Sequence, residues 1–167
     1  MAIDAFLKID GIPGESMDDR EKNTIEILSY STGIAQSATR SKSSHGGGAS
    51  GRADFDDFHV VKALDNSSPK IALACANGTH IKEVILSLYR SGGDKLKYME
   101  YKLQNCIISS YHPSGSSEGN DDESIPIETI SFNYGKIQWT YTQQKRGDGS
   151  GGGNVSAGWD LEQNKKM

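Results

Sequence analysis

The chain has 167 residues, 35% of them hydrophobic, with 19 glycines and a net charge of −4. That length suits one domain with a real core, and the glycine-rich, apolar-poor composition favours strands and turns over a helical bundle. The negative charge argues against nucleic acid as a partner, and no apolar stretch is long enough to insert in a membrane.

The opening, Met1 to Phe6, lacks the basic segment and apolar run of a secretory signal. Ile3, Ala5, Leu7 and Ile9 alternate with Asp4, Phe6 and Lys8, which predicts a first strand. Gly11 to Gly14 punctuate it, and Glu15 to Asn23 read as a polar loop. A second strand covers Thr24 to Ser37. Ile25 and Ile27 share one face; Leu28 and Tyr30 then take over the apolar role. Such a change of phase predicts a bulge or a sharp twist. Arg40 to Arg52 is Ser/Gly-rich and carries Arg40, Lys42 and Arg52 without an acid. A third strand runs from Ala53 to Leu64, with Phe55, Phe58 and Val60 apolar.

Ser67 to Gly78 reads as the one helix and as the centre of the fold. Ser68 is placed to cap it, and Pro69 suits its first position. Ile71, Leu73 and Cys75 lie in an apolar run, and Gly78 suits a left-handed end. A helix apolar nearly all round is expected to be a buried, structural plug. A long hairpin follows: Val84, Leu86 and Leu88 mark one strand, Ser91 to Asp94 a turn, and Leu96 to Tyr111 the return. His112 to Ser124 is a second Gly/Ser-rich loop, made acidic by Glu118, Asp121, Asp122 and Glu123. Two more strands cover Ile127 to Tyr134 and Lys136 to Gln144. Gly147 to Gly153 reads as a linker, and Val155, Ala157, Trp159 and Leu161 as a last strand. About eight half-buried strands predict a mainly β protein, a closed barrel or a sandwich.

Catalytic motifs are missing from this pattern. Gly46, Gly47 and Gly48 lack the ending of a phosphate loop. His45, His59, His80 and His112 have no metal-ligand spacing. No nucleophile elbow occurs, and the acids at 121–123 lack calcium-loop spacing. Cys75 and Cys106 sit in apolar runs, as small core residues of a chain folded under reducing conditions. The expectation is no enzyme, no cofactor and no metal. Tyr98, Tyr101, Tyr111, Tyr134, Trp139 and Tyr141 are strand and core residues or, alternatively, the groove of a monomeric β-barrel ligand-binding module, for instance for carbohydrate.

The order and spacing of several segments resemble one family. They are Ile3 to Ile9, Gly14-Glu15-Ser16, Ile27 to Ser31, the Gly46 to Gly51 loop, Ser68-Pro69 with Ala74-Cys75, Gly78-Thr79-His80, and Gly158-Trp159. Over essentially its whole length the chain resembles the haemolysin-coregulated protein (Hcp) family, the tube protein of bacterial type VI secretion. The resemblance implies a compact β-barrel like that of phage tail-tube proteins, in a single domain over residues 1–167 without a C-terminal effector extension. It implies hexameric rings stacked into a tube whose lumen carries or chaperones small effectors. Tip and sheath proteins of the secretion system are the other implied partners. The protein would be cytoplasmic before firing and then expelled without a cleaved signal. Ser29, Ser31 and Thr32 are the implied lumen residues, Ser31 foremost. Arg40, Lys42, His45, Gly46, Gly47, Gly48 and Arg52 form one candidate ring-stacking loop; Glu118, Asp121, Asp122 and Glu123 form the complementary one.

Overall fold

The computed structural model describes residues 3–36, 51–91, 95–117, 124–144 and 151–167. Its strands are β1 (Ile3–Ile9), β2 (Ile25–Ile27), β3 (Ser29–Ser31), β4 (Ile34–Ala35), β5 (Asp54–Phe55), β6 (Phe58–Ala63), β7 (Ile81–Arg90), β8 (Lys97–Ser114), β9 (Ile127–Asn133), β10 (Lys136–Gln144), β11 (Gly151–Asp160) and β12 (Lys165–Lys166). The helix α1 spans Ser68–Asn77. The architecture is mainly β, as expected. The strand count exceeds the expected one because the runs at 24–37 and 53–64 are each broken and because β12 was not expected. Gly151 to Gly153, expected in a linker, already belong to β11.

The main sheet has the order β12-β11-β10-β8-β7-β1-β2. A short sheet is built from β3, β6, β9 and the C-terminal half of β8. Two corners join the sheets. The first falls at Leu28, where the phase of the sequence changes: β2 pairs with β1, β3 pairs with β6, and the Leu28 N–H reaches the Val61 carbonyl at 2.8 Å. Tyr30 takes the inward role after this corner, but Leu28 points out and is 65% exposed. The second corner is in β8. Asn105 adopts a φ of 55°, a left-handed conformation that asparagine tolerates better than most residues. Before it β8 pairs with β7 and β10; after it Cys106 makes one last pair with Ile81 of β7, and from Ile107 onward β8 pairs with β9. The ladder therefore turns at shared strands instead of closing into one continuous barrel, and β10, β11 and β12 extend beyond it.

Leu7, Ile25, Phe58, Val60, Leu86, Leu103, Ile130, Phe132 and Ile137 form the centre of the core, each 1% exposed or less. The outer side of β1 and β7 is covered too. The segment Glu15 to Asn23 folds over it, so Phe6, Ser87 and Tyr89 are buried as well. The Phe6 and Tyr89 rings meet edge-to-face at 5.7 Å. Tyr89 donates to Glu21 Oε1 at 2.5 Å, and burial together with that bond holds its phenol well above the usual range. Gly14 makes this return possible: a Cβ there would lie 2.3 Å from the Thr24 carbonyl oxygen.

The helix ends where Gly78 adopts a φ of 65°. Its start differs from expectation. Ser67 is the N-cap residue, so Ser68 and Pro69 are the first residues inside the helix, and the Ser68 hydroxyl is engaged elsewhere. The buried stripe is narrow: Ser68, Ile71 and Ala74, at a spacing of three. Leu73 is 62% exposed and Cys75 only half-buried. The helix lies against the sheets along one face and is not a plug; an apolar composition does not by itself bury every side.

Candidate functional site: the polar face of the short sheet

Tyr30 fixes β3. Its ring stacks on Phe58 at 6.1 Å and meets Tyr101 at 5.4 Å. Side chains alternate along a strand, so Tyr30 turning inward sends Ser29 and Ser31 outward, where both are exposed. Thr32 is exposed just after the strand.

Pairing register then sets the neighbours. Ser31 pairs with His59, His59 with Ser131, and Ser131 with Ser110, a single row across four strands. His59 Nδ1 and Ser131 Oγ lie 2.7 Å apart. The adjacent row runs Ser29, Val61, Thr129 and His112. The outward positions of both rows thus carry hydroxyls, imidazoles and one valine, with Ser131 only 5% exposed beneath His59. Only Ser29, Ser31 and Thr32 were legible beforehand. His59, Ser131, Ser110, Thr129 and His112 join them through non-local pairing.

Behind this face lies a buried polar cluster. Within the strands of the short sheet the charged residues are Lys62 and Glu128, both turned inward and 0% exposed. They are Cα partners in register. Lys62 Nζ donates to Glu128 Oε2 at 2.7 Å and to Ser68 Oγ at 3.1 Å, and pairs with Asp65 at 2.9 Å. Ser68 Oγ donates to Glu128 Oε2 at 2.9 Å. Tyr111 donates to Glu128 Oε1 at 2.5 Å; burial, then the bond to Glu128, pushes its phenol up to about 12. This cluster ties the start of α1 to the end of β6 and the start of β9. It also keeps charge off the outer face.

The remaining candidates fall into two groups. Arg40, Lys42, His45, Gly46, Gly47, Gly48, Glu118, Asp121, Asp122 and Glu123 lie outside the described residues. Arg52 is described, and its guanidinium donates to the Leu161 carbonyl at 2.5 Å. The proposed aromatic groove does not form: Tyr134 is buried, and Tyr98, Tyr101, Tyr111 and Trp139 pack against the core. Tyr141 alone of that set is largely exposed, at 43%. Among the described residues no cluster of His, Cys, Asp or Glu could hold a metal ion, and no helix is long and apolar enough to cross a membrane.

This geometry offers a wall: a β scaffold whose outward rows, among the described strands, carry hydroxyls and imidazoles and no Lys, Arg, Asp or Glu. A family model for the type VI secretion system effector Hcp matches residues 6–141. Protein hcp1 of Pseudomonas aeruginosa is 33% identical over 165 residues, covering 98% of each chain. The crystal structure of Hcp1 from Salmonella typhimurium matches at a TM-score of 0.81, with 34% identity and 100% of both chains covered. A solved type six secretion system protein matches at 0.90, with 35% identity over 99% of this chain and 100% of that one. The chain belongs to the Hcp family and is a type VI secretion tube protein, a structural and secreted component of that system.

Proposed function

We propose that the chain assembles into hexameric rings that stack into the inner tube, with the polar face of the short sheet turned to the lumen. The observation that carries this reading is the row Ser31, His59, Ser131 and Ser110. A wall without fixed charge and with many hydroxyls suits the passage of varied protein cargo, because it offers replaceable hydrogen bonds and no strong trap. Small effectors are then the lumen cargo, and tip and sheath proteins the outer partners. The subunit works by shape and surface and catalyses no reaction. It is cytoplasmic before firing and secreted afterwards.

Ring closure also suits the β10–β11 hairpin. Among the described residues only Trp159 and Asp160 of β11 pair with β12, and no other described strand pairs with its outer edge before them. Val155 on it is 70% exposed. An open edge of this kind invites pairing unless it is covered, and a heterologous contact that closes on itself covers it in every subunit. Stacking is assigned to the basic loop at 40–52 and the acidic loop at 118–123, read from their charges. The test of the lumen assignment is Ser31→Cys carrying a heavy-atom label, viewed by electron microscopy. Label density inside the ring is expected. Density on the outer rim, or loss of rings, refutes the assignment.

A further inference from the structure

We propose that a groove beside the end of α1 seats the acidic stretch before β9 of a second copy, with Ile125 of that copy as its apolar anchor. This deepens the stacking reading above, giving the acidic loop a seat next to the basic one, and rests on that reading. The groove holds about 460 Å³ between the later turns of α1, the residues after β1 and the start of β7. Leu73, 62% exposed, lines it together with Ala74 and Ile12. Lys70 and Lys82 line it too, and Lys8 adjoins Lys82. All three lysines are exposed, and no described carboxylate lies within ion-pair distance of them. Against them stand Asp10, which lines the same groove, and Glu83, already paired with Lys102 at 3.4 Å. The groove therefore offers an aliphatic surface beneath an excess of positive charge.

The chain carries a segment of the opposite character. Glu118, Asp121, Asp122 and Glu123 precede Ile125, which is 62% exposed. Ile125 is fixed near the start of α1: its neighbour Pro126 accepts the Leu64 N–H at 2.9 Å, and Ser68 bonds Glu128. The groove lies toward the other end of that helix, whose 10 residues advance about 15 Å. One residue of chain spans at most about 3.6 Å, so Ile125 cannot reach the groove of its own copy. A second copy, stacked head to tail, meets no such limit. The base of the basic loop lies at the groove's end of the short sheet: Phe55 meets Tyr134 just after β9, and Ile81 pairs with Cys106 at the β8 corner. An acidic segment that reaches one therefore reaches the other. The lysines complement its carboxylates, which sets polarity and register more than strength. Ile125 against Leu73 removes two exposed apolar side chains from water.

The test uses the full chain with Leu73→Cys and Ile125→Cys, both at exposed positions that leave the core intact. A Cys75→Ser background leaves the introduced thiols as the accessible ones, since Cys106 is fully buried. A disulfide closes only between residues in contact. On mild oxidation at low salt, a ladder of disulfide-linked multimers is expected on a non-reducing gel; either single variant should give none. Adding Lys70→Glu with Lys82→Glu should lower the linked fraction about tenfold, the effect of two exposed charge pairs. Asp121→Lys with Asp122→Lys should then restore it. Absence of the ladder overturns the proposal, as does a linked fraction that ignores the charge reversal. Light scattering of the unoxidised samples separates this from the reading it rests on. Stacked rings without the ladder overturn the groove contact alone. Hexamers that never stack overturn it together with the stacking reading. Monomers that form the ladder support the groove contact and refute the ring.

Discussion

Lys62 and Glu128 face each other in register across β6 and β9, fully buried, with Nζ 2.7 Å from Oε2. The pair and Ser68 anchor the helix start behind the sheet whose other side is the polar wall. Desolvation offsets much of the attraction in such a pair, yet removing one partner strands a buried charge.

Glu128→Ala is therefore expected to cost about 3–5 kcal/mol in urea denaturation. Replacing both residues, Lys62→Met with Glu128→Leu, is expected to recover part of that loss, since neither member of the fully buried pair is then stranded, while Asp65 loses its cation but keeps the bond from the Ser67 N–H. A double variant as unstable as the single one would show that the hydrogen bonds to Ser68 and Tyr111 matter more than the charges.

Little of this cluster was legible in the sequence. Counting apolar alternation reveals β1, β7 and β10, and the phase change at Leu28 reveals a corner. It does not reveal Lys62 or Glu128, which occupy inward positions in phase with Phe58, Val60, Ile130 and Phe132. A lysine and a glutamate at those phases are the available signal, but pairing them needs a register between residues 66 positions apart. The same holds for His59, brought beside Ser31 and Ser131 only by strand order. Ser29 and Ser31 were accessible through the family pattern. Gly78 and Pro69 located the helix, but an apolar run could not say which side of it would be covered.

The two faces of α1 give the second prediction. Ile71 is 0% exposed and Leu73 62% exposed. Ile71→Ala should cost about 2–5 kcal/mol, whereas Leu73→Ala should change stability by less than about 0.5 kcal/mol. Comparable melting-temperature losses for the two variants would place the helix differently on the sheets.

Cys106 gives the third. It is fully buried, and burial followed by the nearby Glu83 charge pushes its thiol up to about 12. An unfolded thiol ionises near pH 8.5. Between those values the unfolded chain has lost a proton that the folded chain keeps, so stability falls as pH rises. The fall should begin near pH 9 and reach a few kcal/mol by about pH 12. Cys106→Val should flatten this limb of the pH–stability curve. In the native protein Cys75 should react with a thiol reagent first, as mass spectrometry can show; early labelling of Cys106 would contradict its burial.

Gly14 gives the fourth. A methyl group there meets backbone, the Thr24 carbonyl carbon at 2.6 Å as well as its oxygen, so the strand end must move to admit it. Gly14→Ala should cost about 1–3 kcal/mol. It should also loosen the segment that covers Phe6 and Tyr89, seen as faster amide exchange at Ser16 and Asn23. Unchanged exchange would mean that the segment adapts without strain.

The measurement that bears most directly on the tube-subunit account is the mass of the purified protein by light scattering at micromolar concentration. The account predicts a species of six times the 18.1 kDa chain, with larger stacked assemblies at low salt. A monomer of 18.1 kDa under the same conditions would contradict it.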